Sequence, residues 1–259
     1  MSNAVTPINR LKRVLDNGSV KNQFENALKE NAGAFVASII DLYNSDTYLQ
    51  KCDPASVAME ALKAATLKLP INKQLGFAYI VPYKNKDGVS IPQFQIGYKG
   101  YIQLAMRTGQ YRFINAGPIF EGVDVERNIL TGEINFVGEP TSQTPKGYFA
   151  YIELLNGFAK VLYATKDEVI SHAKRYSKSF NRSSSAWKTN FDEMATKTVL
   201  RLLLSKYGIM STEMVTALTS VDDDVDSEVA QEVSEEANQT IIDVEAEVVG
   251  EAEEEGPGF

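Results

Sequence analysis

The sequence predicts an α+β fold: helices come first, antiparallel hairpins follow, and a long helix closes the folded part. Three observations predict it. Apolar residues recur at three- and four-residue spacing up to Pro70, alternate with period two through much of 76–164, and return to helical spacing over 186–207. Turn residues sit where the pattern changes, with Pro70 after the first block and Asn156-Gly157 inside the second.

Residues 1–20 read as a flexible N-terminal segment, 21–220 as the folded core and 221–259 as a tail. Helices are expected over 20–30 and over 33–43, where Phe35, Val36, Ile39, Ile40 and Tyr43 share a face. Asp53 and Pro54 open a third as N-cap and first residue, carrying Val57, Ala61, Leu62 and Ala65 until Pro70 stops it. Strands over 76–83 and 91–98 flank the turn Asn85-Lys86-Asp87-Gly88. A helix over 101–108 ends at Gly109, a residue free to adopt the left-handed conformation.

Further strands are expected over 111–120, 134–137, 148–155 and 158–164, the last two joined by Asn156-Gly157, a strong hairpin signal. Thr165 and Glu168 form a capping box for a helix over 166–176. A polar stretch, 177–185, leads into the longest helix, 186–207, closed by Gly208. The tail's Ile241, Ile242, Val244, Val248 and Val249 are compatible with a transient helix, but its uncompensated charge predicts disorder in isolation.

Charge divides the chain in the same place. The formal net charge is −8, from 26 Lys+Arg against 34 Asp+Glu. Residues 221–259 hold 15 of the acids and no Lys or Arg, which leaves 26 bases and 19 acids over 1–220, a net of +7. A basic body with an acidic tail points to an interaction function.

Several classes are excluded. No apolar run has the length of a membrane span and no signal pattern opens the chain, so a cytoplasmic protein without membrane contact is expected. Cys52 and His172, each the single residue of its type, cannot build a disulfide or a Cys/His zinc site. No Gly-Lys dipeptide occurs, which rules out a P-loop, and no cofactor is expected. Lys174 and Arg175 near His172 depress its pKa and leave it no orienting carboxylate for a triad. Asp124 with Glu126, and Asp192 with Glu193, are the nearest approach to a metal-dependent nuclease; solvated charges explain them more simply.

Cations interleaved with aromatics are what remain. One group holds Lys99, Tyr101, Arg107 and Arg112; the other holds Lys178, Arg182, Trp187, Lys188, Lys197 and Arg201. Cations along the phosphates and planar groups near the bases are the usual grip on single-stranded nucleic acid. In the last helix Phe191, Ala195, Val199 and Leu202 form a core stripe, placing Lys197 and Arg201 off it as a basic face. Asn181, Ser183, Ser184 and Ser185 add neutral donors. Trp187 suits a stacking platform or a core cap equally.

Three segments carry a resemblance. Residues 74–83 (QLGFAYIVPY), 95–105 (QIGYKGYIQLA) and 187–201 (WKTNFDEMATKTVLR) resemble the RecT family of phage recombinases, distantly similar to phage lambda Red beta. The likeness is dense from Phe24 to Tyr207 and leaves the tail outside. It implies an ATP-independent protein, not an enzyme, that binds single-stranded DNA and anneals it into duplex, assembling as a homo-oligomeric ring or helical filament. It also implies a curved antiparallel sheet with the long helix packed across it. A phage exonuclease and the host single-strand-binding protein become expected partners in a bacterial cytoplasm. Lys99, Tyr101, Arg107, Arg112, Lys178, Arg182, Trp187, Lys188, Lys197 and Arg201 are the candidate DNA-binding residues. A passive single-strand-binding scaffold and, more remotely, the nuclease stay open as alternatives. The tail is free to compete with DNA, recruit a partner or serve solubility alone.

Overall fold

The computed structural model describes residues 6–215 apart from 86, 178, 184, 210, 213 and 214. Helices α1 (Pro7–Leu15), α2 (Gly18–Leu28), α3 (Ala32–Ser45) and α4 (Pro54–Thr66) come first. Helix α1, which the sequence reading did not include, lies inside the segment 1–20 read as a flexible N-terminus. Thr6 caps it, Pro7 opens it, and Leu11 and Leu15 are buried in the core. Leu11 and Leu15 stand one turn apart on the stripe facing α4, and burying two leucines offsets the cost of ordering a short helix.

Asp53 caps α4 as expected, its carboxylate accepting from the Ser56 N–H at 2.9 Å. Ala58, Ala61, Ala64 and Ala65 are all buried, and these small side chains let α1, α2 and a strand crowd against α4. That strand belongs to a hairpin, β1 (Ala78–Lys84) and β2 (Ser90–Ile96), paired antiparallel with Ile80 opposite Phe94. Ala78, Ile80, Phe94 and Ile96 are buried on one face. Glu60 of α4 accepts the Phe94 N–H at 2.7 Å, satisfying part of the hairpin's outer edge.

Helix α5 (Tyr98–Arg107) follows directly. Its start is held by two glycines. A Cβ at Gly97 would lie 2.1 Å from the Gly76 carbonyl oxygen, and one at Gly100 would lie 2.2 Å from that of Phe77. The Gly97-Tyr98-Lys99-Gly100 run is therefore a packing motif that presses α5 onto the chain entering β1. At its other end α5 secures α4. Lys68 adopts φ +51 in a Schellman turn, with the Leu69 N–H donating to Ala64 O and the Lys68 N–H to Ala65 O. Arg107 donates to the carbonyls of Leu67 at 2.6 Å and Lys68 at 2.9 Å across that turn.

Among the described residues, three separate antiparallel sheets stand in place of the expected single curved one. Besides β1–β2 there is a sheet ordered β3 (Tyr111–Phe120), β6 (Pro145–Leu154), β7 (Ala159–Thr165), and a ribbon of β4 (Asp124–Arg127) with β5 (Ile134–Val137). The Asn156-Gly157 turn joins β6 to β7, with Gly157 at φ +86. Tyr148, Ala150, Ile152 and Leu154 point to the buried face of β6, while Phe149 and Tyr163 on the other face meet Phe136 of β5.

Helix α6 (Lys166–Tyr176) begins at the expected capping box of Thr165 and Glu168. The helix expected over 186–207 is in fact two, α7 (Ala186–Thr189) and α8 (Phe191–Tyr207). Asn190, at φ −140 and ψ 55, breaks it. Helix α8 packs on β3, β6 and β7 and is also met by α5, α6 and α7. It is consequently buried around more of its girth than the stripe of Phe191, Ala195, Val199 and Leu202 anticipated. Thr198, Leu200, Arg201, Leu203 and Leu204 are buried too, whereas Leu202 is half-exposed.

Replacing Arg107 with alanine removes two charge-assisted bonds from the Lys68 turn. The variant is expected to lose roughly 1–2 kcal/mol of stability, a figure reduced for the residue's exposure. Thermal unfolding of Arg107→Ala beside the parent measures it; an unchanged melting temperature refutes the clamp.

Candidate nucleic-acid interface

A cavity of about 310 Å³ opens between the β1–β2 hairpin, the start of α5, the loop before α7, and α8. Period-two alternation builds its first wall. With Phe94 and Ile96 turned to the core, Gln93 and Gln95 turn to the cavity, and Gln95 Nε2 donates to Tyr83 Oη at 2.7 Å. Helical spacing builds the opposite wall, where Met194, Lys197, Thr198 and Arg201 follow i, i+3, i+4 and i+7 along α8. Arg182 lies on the loop between, 5.8 Å from the centroid of the Tyr83 ring. Among the described residues, three cations and no carboxylate line this cavity.

Arg201 is the least exposed of those cations, at 5 %. Its charge reaches its neighbours. His172 is held below its ordinary pKa by burial first, then by Arg201 and Arg175, and its ring lies tilted against that of Tyr176, the centroids 4.7 Å apart. Burial raises the Tyr101 hydroxyl while Arg201 opposes the shift. At the start of α8, Asp192 accepts a hydrogen bond from Tyr148, whose pKa rises through burial and that bond. Asp192 is thus tied to the sheet and not simply solvated. Among the described residues no group of three His, Cys, Asp or Glu is placed to hold a metal ion.

The RecT family model matches residues 33–241. The chain belongs to the RecT family. It is 50% identical over 214 residues to the uncharacterized protein YqaK of Bacillus subtilis, covering 82% of this chain and 72% of that one. It is 31% identical over 176 residues to protein RecT of Escherichia coli, covering 66% and 64% respectively. The family match continues to residue 241, so the expectation that the acidic tail lies wholly outside it is corrected.

The three RecT-like segments converge on the cavity. The first contributes Val81 and Tyr83, the second Gln95 and Tyr101, and the third Trp187, Met194, Lys197 and Arg201. Of the ten candidate residues, Tyr101, Arg182, Trp187, Lys197 and Arg201 therefore meet at one place. Arg201 is nevertheless buried, not on an exposed basic face, because α8 is covered on that side as well. Trp187 is 4 % exposed and packs edge-on against Phe180 and Phe191, both at 5.7 Å, which makes it a wall brace. Tyr101 is wholly buried.

The others lie apart or at the margin. Lys188 is exposed beside Trp187, its Nζ 5.0 Å from the Phe180 ring, and Lys99 is exposed beside Gly76. Arg107 is engaged by the Leu67 and Lys68 carbonyls of the turn after α4, and Arg112 pairs with Glu153 at 3.0 Å across β3 and β6. Lys178 and Ser184 lie outside the described residues. Ser185 caps α7, bonding the Trp187 N–H, while Asn181 and Ser183 are exposed. Tyr83, Gln93, Gln95 and Thr198 were not anticipated. The alternation in 91–96 was the signal for the two glutamines, since their apolar neighbours had already claimed the core.

Two outcomes follow from these environments. Because the native state resists the proton that the unfolded chain accepts below about pH 6.5, His172 makes stability fall as pH drops through the imidazole range. Melting temperatures at about pH 7.5 and about pH 5.5 should differ less in His172→Gln than in the parent; an equal loss in both refutes this. The Tyr101 hydroxyl is buried with no hydrogen-bond partner among the described residues. Tyr101→Phe should therefore gain about 1 kcal/mol in denaturant unfolding, and a marked loss overturns that reading.

Proposed function

We propose that the chain binds single-stranded DNA through this cavity and its rim and anneals complementary strands without ATP. The observation that carries the reading is the convergence of three separated RecT-like segments on a cavity lined by Arg182, Lys197 and Arg201 and, among the described residues, by no acid. Annealing breaks no covalent bond, so no acid, base or nucleophile is required. The protein has to lower the repulsion between two polyanions and leave the pairing edges of the bases free. Lys197 and Arg182 neutralise phosphates, Arg201 supplies fixed positive potential from the wall, and Lys188 and Lys99 extend the basic rim. Gln93, Gln95 and Tyr83 offer neutral hydrogen bonds, while Trp187 and Tyr101 keep the walls in place.

Phosphate contacts carry no sequence information, so binding is expected to be nearly sequence-independent. Assembly of protomers into a ring or helical filament along the strand adds cooperativity, and an exonuclease that exposes the strand and the host single-strand-binding protein are the natural partners. The second reading, a passive scaffold, shares the groove and differs only in lacking annealing.

One assay separates the readings: complementary labelled strands are mixed with the protein, without nucleotide, and duplex yield and strand length are followed. Accelerated duplex with intact strands is expected. Bound but unpaired strands mean a scaffold, and shortened strands a nuclease. Arg182→Ala with Lys197→Ala should slow annealing and flatten the slope of log K against log salt by roughly 1.4, or about 0.7 per contact. Annealing at the parental rate in moderate salt by a folded double variant sinks the groove assignment.

A further inference from the structure

The acidic tail contains a run suited to the same cavity. From Ile242 to Val248 the sequence reads Ile-Asp-Val-Glu-Ala-Glu-Val, a strict alternation of apolar and acidic residues. In an extended chain this sets Asp243, Glu245 and Glu247 on one side, about 6.6 Å apart, with Ile242, Val244, Ala246 and Val248 on the other. The cavity offers the complement: Arg182, Lys197 and Arg201 among its polar groups, and Val81, Pro82 and Met194 among its apolar ones. Its longest wall is α8, the element from which the chain runs on towards the tail.

Building on the groove reading above, we propose that residues 242–248 dock in this cavity as an intramolecular stand-in for the DNA strand, their carboxylates taking the place of phosphates. The chain permits it. Twenty-six residues lie between Val215 and Ile242, and this stretch spans up to roughly 90 Å, whereas a domain of this size has a radius of gyration near 17 Å, by scaling. The electrostatics favour it, since a body of +7 carries a tail of −15. The family match ends at residue 241, one position before the run begins. Docking makes the empty protein selective: a long strand, with many phosphates and neighbouring protomers to recruit, displaces the segment, while short or sparse polyanions do not.

The size of the effect follows from tethering. A segment held at an effective concentration of about 1 mM, with a dissociation constant of roughly 0.1 mM for the cavity, weakens DNA binding about tenfold. The test compares the full chain, a chain ending at Ser220, and a full-length Asp243→Asn, Glu245→Gln, Glu247→Gln variant for binding to labelled oligothymidylate across a salt series. Truncation should tighten binding about tenfold at low salt, with the difference closing at high salt. The triple variant should recover most of that gain. A synthetic peptide of residues 240–250 should bind the truncated protein directly, and less well after Arg182→Ala and Lys197→Ala.

Equal affinities of full and truncated chains at low salt overturn the proposal. A truncation effect that the triple variant fails to reproduce overturns the assignment to 242–248. If no form binds oligothymidylate at any salt but the peptide still binds the body, the DNA reading of the groove fails and the docking site stands as a peptide site.

Discussion

The fold turns on the enclosure of α8. A helix packed against a sheet ordinarily keeps one face in water, but this one is met by β3, β6 and β7 and also by α5, α6 and α7. Its sequence therefore serves two interiors. Ala195, Val199 and Leu203 fill a core, and Lys197 and Arg201 border a cavity whose far wall belongs to a different sheet. Carrying a guanidinium to 5 % exposure is costly unless its surroundings are polar. Serines, glutamines and tyrosines of the lining supply polarity here.

Smaller constraints hold the two walls at a fixed separation. Gly97 and Gly100 let α5 touch the backbone at Gly76 and Phe77, which sets the hairpin against the helical layer. Glu60 ties β2 to α4, Arg107 ties α5 to the end of α4, and Tyr148 ties the sheet to Asp192 at the start of α8. Two of the polar residues assigned other roles in sequence are therefore fasteners. Arg107 steadies a turn with a left-handed lysine, and Asp192 secures the register of α8 on β6.

Local chemistry was legible wherever a few neighbouring residues decide the outcome. The Thr165–Glu168 capping box, the Asp53 cap, the Asn156-Gly157 turn and the positive φ of Gly109 all stand where short-range rules put them. Helix α1 was missed because a nine-residue segment is marginal alone, and its leucines gain their value only against α4. The interruption at Asn190 was missed because the apolar stripe runs on in register across it. The single sheet was an inference from likeness; strand pairing is a non-local choice, and the hairpins instead pack as separate sheets.

For this protein the sequence by itself determined most of the order of elements, the division into a basic body and an acidic tail, and membership of the RecT family. These depend on residue identity and near-neighbour spacing. Only the tertiary structure decided which cations share a cavity. Arg182, Lys197 and Arg201 meet across a loop and a helix, while Arg107 and Arg112 find partners elsewhere. A side chain's charge is written in the sequence; whether that charge faces a ligand depends on which elements cover it, and that is settled only when the core is packed.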